Sequence, residues 1–328
     1  MVLSLWAESM PDAAVEAALP SLSASGLGIG LSLPSERLGD RAFAKLTRKA
    51  AQAGVSVRVW PLLPRERGYW IGEANVEETR ELLLALLDWR AKRGGPVFEW
   101  VSFDLEPDYA YSESLRRAAR RRPDKVLGML SEHVRPTRFA KARASLARSV
   151  QTLRRAGVSA HAVTYPLVLD QREGDTTLED ALSIPVSGID WDEVSFMVYQ
   201  TPFAQLIGTW LGPALVSSYA KTAVARFGAR AGIDVGIVGD HGVGIDPGSR
   251  YPNASALRVD LAASLAAGIP LERTRVYGLA GVLDSGGVAA WLSEAPRAAA
   301  PNESRMVEGF RNAVRGIATG LCAMARQA

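Results

Sequence analysis

Two carboxylates stand where a β-strand would hold them side by side. The run Trp100-Val101-Ser102-Phe103-Asp104-Leu105-Glu106-Pro107-Asp108 alternates like an extended segment. Residues two apart on a strand share a face. Ser102, Asp104 and Glu106 therefore lie on one side, and Val101, Phe103 and Leu105 on the other. Repulsion and partial burial raise the pKa of one acid in such a pair. A carboxylic acid that keeps its proton near neutrality can protonate a leaving oxygen, as cleavage of a glycosidic bond requires. Glu106 is the expected acid/base, and Asp104 the residue that tunes and orients it. The plainer expectation is a salt-bridged structural pair, but acids are costly on an otherwise buried strand.

A second run, Val194-Ser195-Phe196-Met197-Val198-Tyr199-Gln200-Thr201-Pro202, places a hydroxyl and an amide at a strand end. Tyr199 and Gln200 could hydrogen-bond a sugar or an acetamido group; a tyrosine packed under a loop is the alternative. Other acids follow predicted strands: Glu8, Asp170, Asp240 and Asp284. Any of them is a candidate second carboxylate for Glu106, with Asp240 ranked first. Asp284 could instead hold its own loop through local backbone bonds. Trp6, Trp60, Tyr69, Trp70 and Tyr165 also fall near strand ends, where flat aromatic faces would stack on sugar rings. Core packing is the bland reading of each one singly.

The elements that must position these residues are read from a rhythm. Short Val/Ile/Phe/Trp-rich runs alternate with longer helical segments, the pattern of βαβ units and a parallel sheet. The predicted strands are Val2–Ala7, Leu27–Leu33, Ser56–Leu62, Trp100–Leu105, Ser159–Pro166, Glu193–Tyr199, Val235–Val238 and Arg275–Leu283. Predicted helices include Asp12–Ser25, Asp40–Ala53, Val76–Arg93, Arg138–Ala156, Ser217–Ala231 and Asn253–Ala267, five of them stopping at glycine. Eight such units predict a single α/β domain over residues 1–328, a (β/α)₈ or TIM barrel. Extended loops are expected after strands 3 and 4, Pro61–Asn75 and Pro107–Thr137. Loops in these places build the site of such a barrel. The arginines Arg116, Arg117, Arg120, Arg121 and Arg122 are read as a solvated helix face, with an anionic ligand as the alternative. Residues 302–328 are expected to be a final helix packed on the barrel, with Met306, Val307, Phe310, Val314, Ile317 and Leu321 at helical spacing.

Composition closes off several classes. The first βα turn, Ala7-Glu8-Ser9-Met10-Pro11, has no GxGxxG and no P-loop, which speaks against dinucleotide or ATP binding. The net charge of +3 over 328 residues gives no reason to expect a nucleic-acid partner. Cys322 stands alone, which excludes an intrachain disulfide. His133, His161 and His241 form no ligand pair, and no metal or organic cofactor is expected. A metal site built from Glu8, Asp104, Glu106, Asp240 and His241 is the competing possibility. No run reaches the roughly 18 apolar residues of a membrane span. The expectation is a soluble protein, cytoplasmic as written, or secreted or periplasmic if a leader has been removed. The oligomeric state is not legible.

The two strand ends resemble a known family. Trp100–Asp108 is similar to the D-x-x-D-x-D-x-E signature of family 18 glycoside hydrolases, the chitinase-like barrels, with Glu99 and Ser102 where that signature has Asp. Met197, Tyr199 and Gln200 resemble that family's M-x-Y-[D/N/Q] element. The resemblance implies that Glu106 is the general acid. It implies that Asp104 orients an N-acetyl group, held by Tyr199 and Gln200, for attack on the anomeric carbon. In the large clan of retaining barrels, by contrast, an acid from strand four works with a nucleophile from strand seven, a place comparable to Asp240. Together these point to a glycoside hydrolase acting on an oligosaccharide or polysaccharide. A barrel that binds glycan or protein without catalysis is the alternative.

Overall fold

A computed structural model describes residues 3–239, 242, 248, 250–294 and 296–326. Eight parallel strands close into a barrel in chain order. They are β1 (Ser4–Ala7), β2 (Gly28–Pro34), β3 (Val57–Leu62), β4 (Trp100–Leu105), β5 (Ser159–Thr164), β6 (Glu193–Met197), β7 (Ala231–Gly236) and β8 (Thr274–Tyr277). Ser4 pairs with Gly28 on one side and with Arg275 on the other, which closes the ring. The helices on the outside are α1 (Asp12–Ala24), α2 (Arg41–Gln52), α3 (Val76–Ala91), α4 (Tyr109–Arg121), α5 (Pro123–His133) and α6 (Pro136–Arg155). They continue with α7 (Thr177–Ala181), α8 (Gln200–Ile207), α9 (Pro213–Phe227), α10 (Ala254–Ala266), α11 (Leu279–Asp284), α12 (Gly287–Leu292) and α13 (Arg305–Ala325).

Strand alternation sorts the side chains. Val101, Phe103 and Leu105 are fully buried in the core between strands and helices, where Phe103 meets Trp191 at 5.0 Å between ring centres. The opposite parity points into the barrel, as period two requires. Low on that side Arg58, Glu193 and Arg275 form an ionic layer. Above it Ser102, His161 and Ser195 are joined by hydrogen bonds, and higher still come Asp104, Trp6 and Trp60. The inward position Gly30 of β2 leaves room for the Trp6 indole. A Cβ on Gly30 would lie 2.1 Å from Trp6 Cε3, and that ring is tied by its nitrogen to Asp234 at 2.8 Å. Gly30→Ala is therefore expected to destabilise the barrel by roughly 1–3 kcal/mol in urea unfolding. An unchanged midpoint would mean the indole moves aside freely.

Three predicted spans differ most from the structure. β7 begins at Ala231, four residues earlier than expected, because α9 already ends at Phe227. β8 stops at Tyr277, and the apolar run after it, residues 279–284, is the short helix α11 instead of more strand. An apolar stretch of that length is compatible with either element, so packing decides. The extended connection expected after β4 is built as the helix pair α4–α5. Asp108 starts it by accepting from the backbone N–H groups of Ala110 and Tyr111, a strong N-cap. Beyond this pair the longer helix α6 terminates before Gly157, left-handed at φ +68°.

The segment after β3 is anchored beside β4. Ile71 N–H donates to the Asp104 carbonyl at 2.8 Å, which sets Tyr69 and Trp70 at the mouth. α13 packs against α5, α7 and α9 through Val307, Val314, Ala318 and Leu321, whereas Met306 is exposed. Its Arg311 is buried and bonds Asp170.

Candidate functional site

A cavity of about 330 Å³ opens at the C-terminal ends of the strands. Its floor joins side chains from six strands or their first following residues. Asp104 and Glu106 rise from β4, Trp6 and Glu8 from β1, Trp60 from β3, Tyr165 from β5, Tyr199 from β6 and Tyr277 from β8. Each sits there because inward parity continues one or two residues past the strand end. Trp6 and Trp60 meet edge to face at 5.4 Å, and Tyr199 lies 5.7 Å from Tyr277. Trp70 from the anchored segment adds a further wall.

The acidic pair is enclosed, with Asp104 4% and Glu106 9% exposed. Burial pushes the Asp104 carboxyl well above the usual range, and the charges of Glu106 and Glu8 push it further. Burial also raises Glu106, to about 7, although the Tyr165 hydroxyl and the positive charge of Arg116 act in the opposite direction. Tyr165 donates to Glu106 Oε2 at 2.6 Å. The order within the pair follows: Asp104 is the deeper proton holder, and its hydrogen bond favours the ionised form of Glu106. Glu8 accepts hydrogen bonds from the Tyr69 hydroxyl at 2.7 Å and from the Tyr277 hydroxyl. Tyr69 itself holds a left-handed backbone, φ 65°, and Ser9 beside Glu8 does too, φ 51°. Such conformations are unfavourable for non-glycine residues and concentrate at functional sites.

At the floor of the cavity Asp104 Oδ1 and Trp60 Nε1 are buried and have no hydrogen-bond partner among the described residues. One is an acceptor and the other a donor. A hydroxyl-rich ligand can serve both, since each of its hydroxyls donates and accepts.

Below the floor lies a support that sequence reasoning missed. Trp6 Nε1 donates to Asp234 Oδ2 at 2.8 Å, and Asp234 is fully buried in β7. His161 bridges Ser102 at 3.0 Å and Ser195 at 2.8 Å, with its ring parallel to Trp6. Burial, with Arg275 and Arg58 nearby, drives its pKa well below the ordinary value, so the imidazole is neutral. The available signal was parity: Asp234 and His161 are polar residues at inward positions of largely apolar strands. Tyr277 and Met197 also line the cavity unforeseen as site residues.

Other expected site residues end elsewhere. Gln200 is 1% exposed and does not line the cavity; its Nε2 donates to Asp260 Oδ1 at 2.7 Å, beside Tyr251. The first turn of α8 rotates its side chain away from the acids, so it is not placed to hold a substrate there. Asp284 is exposed at the end of α11 and lies outside the cavity lining, because β8 stops seven residues before it. Asp170 is buried beneath α13, bonded by Tyr219 at 2.8 Å and by Arg311. Tyr69 stands behind Glu8 without lining the cavity. Asp240 and His241 lie outside the described residues. Among those that are described, no three His, Cys, Asp or Glu side chains are gathered as a metal-binding group. In the arginine run Arg117, Arg121 and Arg122 are exposed, while Arg116 and Arg120 reach the cavity. No described helix is long and apolar enough to cross a membrane.

Comparison with solved structures returns barrels of low identity. A family 1 b-glucosidase from Thermotoga maritima superimposes with a TM-score of 0.50 at 13% identity, covering 82% of this chain and 77% of that one. An L-ribulose 3-epimerase gives 0.45 at 13% identity over 99% of this chain and 96% of that one. A D-psicose 3-epimerase from Clostridium cellulolyticum H10 gives 0.43 at 12% identity over 98% and 99%. At such identities the likeness is one of fold. No protein-family model matches the chain, and no curated protein matches it in sequence.

Proposed function

We propose that the chain is a carbohydrate-processing barrel and, more narrowly, a glycoside hydrolase with Glu106 as general acid. The observation that carries this is the buried Asp104–Glu106 pair, proton-holding near neutral pH, at the floor of an aromatic-walled cavity. Glu106 gives its proton to the glycosidic oxygen as the bond to the anomeric carbon breaks. Asp104, still protonated, donates to the new Glu106 carboxylate and stabilises it. The positive charge on the sugar needs a second carboxylate. Among the described residues Glu8 is the one other acid lining the cavity. Water then adds at the anomeric carbon, and its proton returns to Glu106.

This reading keeps the role that the family 18 resemblance implies for Glu106, and turns Asp104 toward Glu106 instead of toward an N-acetyl group. It drops acetamido binding by Gln200, which is engaged with Asp260. Tyr199, Trp6, Trp60 and Trp70 would contact the sugar, and Tyr165 would set the acidity of Glu106.

A panel of 4-nitrophenyl α- and β-glycosides, assayed from pH 4 to pH 9, tests the proposal. Turnover should fall as pH rises through about 7, where Glu106 loses its proton. Release of no aglycone from any member above an uncatalysed control removes the hydrolase reading. Tyr165→Phe supplies an internal check. Its hydroxyl stabilises ionised Glu106, so its loss raises the pKa. A hydrogen bond to a charged group contributes about 1.5 kcal/mol, so the alkaline limb should move up by roughly one pH unit. A limb that stays in place would assign it to another group.

A further inference from the structure

The cavity has two chemically unlike halves. One is the acidic, aromatic floor. The other is walled by Leu115 of α4, Val126 and Leu130 of α5, Leu167 after β5, and Val314 and Ile317 of α13. Four of these, Leu115, Val126, Leu167 and Ile317, are only half-buried although they face an interior space. Arg116 and Arg120 of α4 line the same cavity; Arg116 is ion-paired with Glu113 at 2.8 Å and its charge acts on Glu106 at the floor.

The origin of that wall is informative. A minimal barrel needs one helix and short loops per unit. Here α4 and α5 are an insertion between β4 and α6, and α13 follows the last βα unit. The insertion and the added helix meet, since α13 packs on α5. Together with Leu167 they supply the apolar half. Helices free to pack more closely would bury those side chains against one another, because exposed apolar surface is unfavourable. Apolar walls instead take up apolar ligands, and the cavity as a whole, at about 330 Å³, falls within the roughly 300–1,000 Å³ of small-molecule sites.

We propose that this half is an aglycone site for a hydrocarbon chain, so that the substrate is an amphiphilic glycoside, a sugar carried on an alkyl or acyl lipid. The sugar half of the proposal rests on the hydrolase reading above; the hydrocarbon half rests on the wall alone.

The test is titration calorimetry of the full chain with three probes below their micellar concentrations. They are tetraethylene glycol monooctyl ether, octyl β-D-glucoside and methyl β-D-glucoside. Both octyl compounds should bind at least about thirty-fold more tightly than the methyl glycoside, because seven further carbons leave water. Val126→Trp fills the chamber and should weaken octyl binding at least tenfold at unchanged thermal stability. Ile317→Asp, on a different helix, should do the same, so a misfolded first variant does not stop the test. Octyl binding no tighter than methyl, or unmoved by a folded chamber variant, overturns the aglycone site. Octyl ether binding that responds to the variants, together with no cleavage in the glycoside panel, upholds the chamber and removes the hydrolase. Equal cleavage of methyl and octyl glycosides does the reverse.

Discussion

Glu106→Gln is expected to lower kcat by roughly 10²–10⁴-fold, the range that positioned proton transfer contributes. The amide has the shape of the acid and still accepts the Tyr165 hydroxyl that now bonds Oε2 at 2.6 Å. It cannot give a proton to a leaving oxygen. Substrate affinity should change little, and the alkaline limb near pH 7 should vanish with the group that causes it. The same residue makes a stability prediction with a definite sign. The folded pKa of about 7 lies above the ordinary 4.5, so between these values the native state holds more protons than the unfolded chain. Its contribution is full below about pH 4.5 and is lost as pH rises through about 7. At pH 8 the wild type keeps a carboxylate in a buried site, whereas the glutamine variant keeps a neutral amide. The variant should then be the more stable by roughly 1–3 kcal/mol in urea unfolding. A variant that is inactive and equally destabilised at every pH would show Glu106 to be scaffold.

The second large effect lies beneath the site. Glu193 is 1% exposed and bonds Arg58 Nη2 at 3.1 Å and Arg275 Nη2. Burial would raise its pKa, but the two guanidinium groups more than reverse that and hold it below the ordinary value. Glu193→Leu leaves Arg58 and Arg275 in the barrel with only Asp234, 3.6 Å from Arg275, as a counter-charge. Breaking a buried ion pair by removing one partner costs roughly 3–5 kcal/mol. Urea unfolding at pH 7 should show that loss. Replacing all three by Arg58→Met, Glu193→Leu and Arg275→Met should recover part of it, because the desolvation of these three charges disappears along with their attraction, while buried Asp234 loses Arg275 as its counter-charge. The depressed carboxylate pKa sets the pH window: the contribution is present above about 4.5 and is lost as pH falls through the lowered value. A loss under about 1 kcal/mol would mean that the arginines find water or other partners.

These two predictions concern neighbouring layers of one barrel. The ionic layer fixes Asp234 through Arg275, Asp234 fixes the Trp6 indole, and Trp6 walls the cavity that holds Glu106. Damage to the lower layer should therefore appear in substrate affinity as well as in stability, while Glu106→Gln should leave affinity alone.

Much of this was legible in the chain before folding. The alternation of β4 put Asp104 and Glu106 on one face, and the end of each apolar run marked the rim where Trp6, Glu8, Trp60, Tyr165 and Tyr199 stand. Such information is local: strand parity and helix period depend on neighbours a few residues away. The errors arose where local signals compete. Residues 279–284 suit a strand or a helix equally, and packing made them helix, which carried Asp284 away from the mouth. The late start assigned to β7 left Asp234 in the connection between the expected helix and strand.

What tertiary structure alone decided is which side chains meet. Glu8 is bonded by tyrosines 61 and 269 residues away, Glu106 by one 59 residues away, and Gln200 is claimed by Asp260 instead of facing the acids. The insertion α4–α5 reads in the sequence as a long connection with a solvated arginine face; only its contact with α13 turns its apolar face into a chamber. A hydrogen bond, a pKa and a cavity are properties of groups brought together by barrel closure. Composition and spacing carry the identity of those groups, while their distances exist only once the chain has closed.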